Sequence, residues 1–207
     1  MFYSCCSEII CEGCVLANYK SNSYDVVKAG KCPFCREQAM DDEIMRKRKM
    51  KRIKANDPAA LREMGGECYA EGEYDSAFDY FTKAAELGDP ESHCQLGWMY
   101  RLGEGVEEDE EKMVYHWEKA AISGHPRARH NLGACEEDNG NMERAVKHWI
   151  IAAKLGYEKS MKVLWRQYSE GNITKQDLDA TLRTHQAAIN ATKSAQRDAA
   201  GLVWKNH

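Results

Sequence analysis

Small and apolar residues recur in a fixed order between residues 58 and 156. Met64-Gly65, Leu96-Gly97 and Leu132-Gly133 form the first mark. A large ring follows at Phe81, Trp117 and Trp149, then a small pair at Ala84-Ala85, Ala120-Ala121 and Ala152-Ala153. Gly88, Gly124 and Gly156 close the units. The first glycines lie 32 and then 36 residues apart, and the alanine pairs 36 and then 32. A period of this size predicts a helical solenoid in which each unit is a pair of helices around a turn. The glycines fall on first helices and the alanine pairs on second helices, where small residues let antiparallel helices approach closely. One pair cannot bury its apolar face alone, so neighbouring pairs stack into one continuous core. The four-residue difference between units falls in the turn, which is long over residues 102–109 and short around Gly72 and Gly140.

The flanks follow the same logic. Asn56-Asp57-Pro58 reads as a helix start, with a side-chain cap and a proline where no N–H is needed. Asp89-Pro90 repeats the device, and His125-Pro126 repeats it with a weaker cap. Residues 157–193 keep the helical rhythm but lose the Leu-Gly and Ala-Ala marks. Leu164, Trp165 and Tyr168 fall on one helix. Thr174 and Asp177 resemble a capping box that opens a helix carrying Leu178, Leu182 and Ile189. This is the atypical terminal unit expected of a solenoid. The expected organisation is a small module over residues 1–40, a charged linker helix over 41–56, the solenoid over 57–193 and a tail over 194–207. The linker begins acidic and turns basic from Arg46 to Lys54, an order that suits the helix dipole. A solvated helix face is the plainer reading of it, and a nuclear-localisation or phosphate-binding stretch the sharper one.

The middle unit carries Leu96-Gly97, Tyr100, Gly103-Glu104-Gly105-Val106, Asp109 and Lys119-Ala120-Ala121. This pattern resembles the Sel-1-like repeat, a relative of the tetratricopeptide repeat. The resemblance implies an all-α, helical-repeat superhelix whose first helices line a groove. By that analogy Arg62, Tyr69, Trp98, Arg101, Arg127 and His130 face it. Such cations and aromatics suit an acidic or C-terminal peptide of a protein partner; an ordinary wet surface is the equal alternative.

Charge and composition narrow the function. Lys and Arg number 29 against 33 Asp and Glu, a net charge of −4, which argues against a general nucleic-acid binder. No apolar run is long enough to span a bilayer, and the first residues form no apolar signal segment. A cytoplasmic or nuclear protein is expected. Its nine cysteines are then thiols and metal ligands rather than disulfides. Cys68, Cys94 and Cys135 lack metal-like spacing and read as small packed residues. His116 and His148 share one repeat position, which points to packing or surface roles.

The other six cysteines fall at Cys5, Cys6, Cys11, Cys14, Cys32 and Cys35. Two C-x-x-C pairs each offer two thiolates to a tetrahedral zinc ion. Lys31-Cys32-Pro33-Phe34-Cys35-Arg36 resembles the last ligand pair of a RING finger. The resemblance implies that Cys11 and Cys14 are ligands five and six, that Cys32 and Cys35 are seven and eight, and that Cys6 is ligand three, with Cys5 substituting for the fourth ligand, whose usual histidine position falls on Glu8. It also implies that Pro33 touches a ubiquitin-conjugating enzyme and that Arg36 steadies the ubiquitin thioester. The first ligand pair of the family is missing. The expectation is therefore a degenerate or truncated zinc module on an interaction scaffold; the alternative is a RING-type ubiquitin ligase whose repeats recruit substrate. No active-site nucleophile is expected.

Overall fold

The structure is a computed structural model and describes residues 2–3, 8–9 and 42–192. The chain divides into two compact units, residues 1–60 with 192–207, and residues 61–191.

In the first unit, β1 (Phe2–Tyr3) pairs antiparallel with β2 (Glu8–Ile9), Phe2 opposite Ile9. Helix α1 (Asp42–Lys54) carries the basic run, with its last-turn cations at the negative end of the helix. Lys47 pairs with Glu43 one turn back at 2.7 Å, a solvated contact worth a few tenths of a kcal/mol, about 0.3 to 0.5. Asn56 then takes a left-handed φ of 55°. Asp57 accepts from the Ala59 and Ala60 N–H groups and from Arg52 Nε at 2.9 Å, and so caps the next helix. The Arg52 hydrogen bond holds the Asp57 carboxyl below the usual range.

The second unit is built from α2 (Pro58–Ala70), α3 (Tyr74–Glu86), α4 (Pro90–Leu102), α5 (Glu110–Ile122), α6 (Pro126–Asp138), α7 (Met142–Lys154), α8 (Glu158–Ser169) and α9 (Lys175–Thr192). Helices α4 with α5 and α6 with α7 pack as pairs, and α3 with α4, α5 with α6 and α7 with α8 join one pair to the next. The close-packing argument from the sequence is met in detail. A Cβ at Gly97 would lie 2.3 Å from the Trp117 ring, one at Gly133 2.5 Å from Trp149, and one at Gly65 2.9 Å from Phe81. The ring of each second helix therefore fills the notch its first-helix glycine leaves. Both indoles also donate to a first-helix carbonyl three residues before that glycine, Trp117 to Cys94 O and Trp149 to His130 O, each at 3.2 Å. The alanine pairs are at most 5% exposed in all three units.

The turns differ as their lengths require. Three residues join α2 to α3 and α6 to α7, with Gly72 and Gly140 at positive φ. Between α4 and α5 the chain instead makes a looped excursion. Gly103 and Gly105 both have positive φ, and the Asp109 N–H returns to Tyr100 O at 3.1 Å before Asp109 caps α5.

The terminal unit keeps more of the repeat than its sequence advertises. Ser160 and Leu164 are fully buried, as Ser92 and Leu96 are. At the glycine position stands Trp165, which is 51% exposed. The facing helix α9 offers Thr181, 1% exposed, where an indole would sit. Trp117, Trp149 and Tyr100 thus lie in the core, whereas Trp165, Tyr115 and Tyr168 are exposed. The Thr174 cap is present: Asp177 N–H donates to Thr174 Oγ1 at 3.1 Å. Its return bond runs from the Thr174 hydroxyl to the Asp177 carboxylate at 2.6 Å rather than to a backbone N–H.

Candidate functional site

The first helices α2, α4 and α6 carry the residues proposed to meet a partner. Each of the six is already bonded or stacked within the chain. Arg62 pairs with Asp89 at 3.3 Å, across the first junction. The Tyr69 hydroxyl donates to Glu104 in the long turn, and that bond, with burial, pushes its pKa to about 12. Trp98 lies edge-on to Trp117, and its indole N–H donates to Asn131 Oδ1 at 3.2 Å when that buried amide is oriented to satisfy both its atoms. Arg101 is exposed and sits over the Trp98 ring at 5.4 Å. Arg127 pairs with Glu91, and His130 Nδ1 meets Ser160 Oγ at 2.9 Å. Trp98, Asn131 and the Arg127 carbonyl thus form one chain of contacts, whereas Tyr69 and His130 lie on other junctions. Only Arg101 has an exposed polar end free of an ion pair.

Glu91 is the hub of the second junction. It accepts from Gln95, Arg127 and His125 Nε2, the last at 2.8 Å. The His125 bond first, and then Arg127 nearby, hold its carboxyl below the usual range. His125 also caps α6, with Nδ1 accepting from Ala128 N–H at 3.2 Å. The Cys94 sulfur and Glu91 push the His125 pKa to about 9, whereas the cap needs the Nδ1 lone pair. The geometry favours the neutral ring, with Nε2–H donating to Glu91. This cap was legible from His125-Pro126; the hub at Glu91 was not, because its partners lie 34 and 36 residues away.

A second polar pair sits inside the middle unit. His93 Nδ1 and His116 Nδ1 are 3.0 Å apart, with Tyr100 stacked on His116 and Tyr115 edge-on to it. At that distance one ring donates and the other accepts, so both cannot be protonated. Burial and the neighbouring His93 push the His116 pKa down to about 4. Burial, then Lys119, lower that of His93 against the opposing pull of Asp89. Both folded-state values lie below the ordinary 6.5, so the folded chain binds fewer protons. The pair's contribution to stability is therefore complete above pH 6.5 and is lost as pH falls toward 4. His130 and His148 titrate in the same direction. His93→Leu with His116→Tyr, the residues at register-equivalent positions 61 and 80, should remove about 1–2 kcal/mol of the loss between pH 7 and 4.5 after discounting for partial exposure. Urea midpoints at the two pH values measure it; an unchanged difference would refute the assignment.

The remaining sequence candidates, Cys5, Cys6, Cys11, Cys14, Cys32, Cys35, Pro33 and Arg36, lie outside the described residues. Cys68, Cys94 and Cys135 are buried free thiols. Among the described residues no cluster of three or more His, Cys, Asp or Glu has metal-binding geometry, and no helix is long and apolar enough to cross a membrane.

The notch-and-ring unit recurs three times with its cap, its glycine and its alanine pair in register. The model of the Sel1 repeat matches residues 58–89, 90–125 and 126–157, one match per unit. These are Sel1 repeats. The chain is 26% identical in sequence to the crystal structure of a Sel1 repeat protein from Oxalobacter formigenes, with a TM-score of 0.61 over 79% of this chain and 70% of that one. A protective antigen of uropathogenic Escherichia coli with an SLR fold matches 85% of this chain and 38% of its own at 22% identity and a TM-score of 0.54, which shows a shared fold. Chitin synthase regulatory factor 4 of Schizosaccharomyces pombe is 28% identical over 86 residues, which are 41% of this chain and 14% of that protein. The Sel1 boundaries fall at Asp89, His125 and Tyr157, the residues that precede the first helices α4, α6 and α8.

Proposed function

We propose that this chain is a protein-interaction scaffold. The observation that carries the reading is the stack of three Sel1 repeats and a terminal unit, fastened along the first helices by the Asp89, Glu91 and Ser160 contacts. Stacked repeats give a rigid, extended surface, which suits recognition of another protein's surface or segment. The fission-yeast relative is a regulatory factor, which supports binding over catalysis. Photo-crosslinking tests the reading. A benzoylphenylalanine at Ala134 on α6 should trap a protein partner in cells, and the same residue at exposed Glu118 on α5 should trap far less. Equal yields from the two positions would defeat the assignment of the first-helix face.

We further propose that residues 1–40 hold zinc. The support is the spacing of Cys11, Cys14, Cys32 and Cys35, with Cys5 and Cys6 ahead of them. Four thiolates suit a structural zinc, which contributes on the order of 10 kcal/mol in small finger peptides. Native mass spectrometry of the full chain should count one zinc per molecule, removed by chelator. Two would favour the RING-type ubiquitin ligase, with Pro33 and Arg36 in the roles the resemblance gives them. None would overturn the zinc proposal and leave the scaffold untouched.

A further inference from the structure

The end of α4, the long turn and the end of α6 enclose a cleft of about 360 Å³. Its floor is Tyr100, Met113 and Cys135, each at most 9% exposed. Its rim carries Glu108, Glu110 and Asp138. No ion pair joins these three carboxylates to a cation among the described residues. Asp109, also on the rim, is satisfied by Lys112 at 3.0 Å. The one guanidinium of the rim, Arg101, is drawn over the Trp98 ring.

The placing of Asp138 is the telling feature. Helix α6 ends in Glu136, Glu137 and Asp138, three carboxylates at the negative end of the helix dipole. Arg144 neutralises Glu136 at 2.8 Å and Arg166 neutralises Glu137 at 2.7 Å. Asp138 has no such partner and faces the cleft. Burial raises the Cys135 thiol pKa, and Asp138 and Glu110 raise it further against the opposing Arg101, so the floor senses the carboxylates.

We infer that this cleft receives a lysine or arginine side chain from a protein segment, its aliphatic stem on the Tyr100–Met113–Cys135 floor and its charge among Glu108, Glu110 and Asp138. An apolar floor beneath a negative rim matches the stem and head of those two side chains. A bare metal ion fits less well, because these carboxylates do not converge to metal geometry. The inference rests on the scaffold reading and reverses the acidic ligand expected from the sequence: Arg62 and Arg127 are spent on Asp89 and Glu91, and the open site left beside Arg101 is negative.

Amide NMR of the full chain tests it with minimal probes. N-acetyl-lysine methylamide or N-acetyl-arginine methylamide should give saturable shifts at Met113, Cys135 and Asp138. N-acetyl-norleucine methylamide, which has the stem without the charge, should not. Glu110→Gln with Asp138→Asn, both on exposed side chains, should weaken the response about fivefold with the melting temperature unchanged. Silence at these amides, or equal shifts from norleucine, would overturn the cleft assignment. Either result leaves the scaffold reading standing, because the crosslinking positions decide that one.

Discussion

Gly97→Ala is expected to destabilise the solenoid by about 2–3 kcal/mol, read as a lower urea midpoint at constant slope. The new methyl would stand 2.3 Å from Trp117 Cδ1 and Nε1. Trp117 is fully buried, so the ring has nowhere to retreat and α4 and α5 must part. Overpacking of this kind costs about 1–3 kcal/mol or more. Parting the helices also stretches the indole bond to Cys94 O, worth about 1 kcal/mol. Against this stands the helix preference of alanine, at most about 1 kcal/mol. Gly66→Ala isolates that gain, because a Cβ there meets nothing within 4 Å. It is expected to stabilise by about 0.5–1 kcal/mol. In the double variant Gly97→Ala/Trp117→Leu the two changes should be strongly non-additive. Equal behaviour of Gly66→Ala and Gly97→Ala would refute the notch as the reason for the glycine.

Gly105→Ala is the second large effect, expected at about 3 kcal/mol. The residue has φ 69°, which costs an L-residue about 1–2 kcal/mol by itself. Its Cβ would also lie 2.5 Å from Tyr74 O and 2.6 Å from Tyr74 C. Those atoms belong to the backbone at the start of α3 and cannot swing away, so the turn must lift off the preceding repeat. Gly103→Ala provides the contrast. Its φ is 67°, but its nearest neighbour is the flexible Glu108 side chain at 3.2 Å. It should cost only about 1–2 kcal/mol. If thermal melts rank the two substitutions equally, the close approach to Tyr74 is not what holds the turn.

The two glycines differ in how far the sequence reveals them. Gly97 was legible, because Leu-Gly recurs at fixed distance from a ring and an alanine pair, and a notch needs both partners in register. Gly105 was visible only as part of a long turn. That it presses on Tyr74 follows from the path of residues 103–109, which no periodicity encodes. The groove residues show the same limit. Periodicity put Arg62, Trp98 and Arg127 on first helices, but their partners Asp89, Asn131 and Glu91 are fixed by how one unit is rotated on the next. The cleft beneath Asp138 was illegible for that reason, since its walls come from α4, α5, α6 and a turn. The terminal unit was legible as an atypical closing unit, but its register with the repeats was not, because Trp165 replaces the glycine and Thr181 the indole, although Ser160 and Leu164 kept the spacing.

The excursion between α4 and α5 has a mechanical consequence. Its four additional residues reach back to the first repeat, where Gly105 abuts Tyr74, Glu104 receives Tyr69 and Val106 packs against both neighbouring cores. The short turn at Gly140 makes no such reach, with open space around its glycine. The solenoid is therefore not a uniform spring. The first junction is buttressed by this turn as well as by the Arg62–Asp89 pair, whereas the second is held by the Glu91 hub, the Trp98–Asn131 bond and a core cluster shared by α4, α5 and α6. Loosening the turn, as in Gly105→Ala, would therefore weaken the first junction and leave the bonds of the second in place.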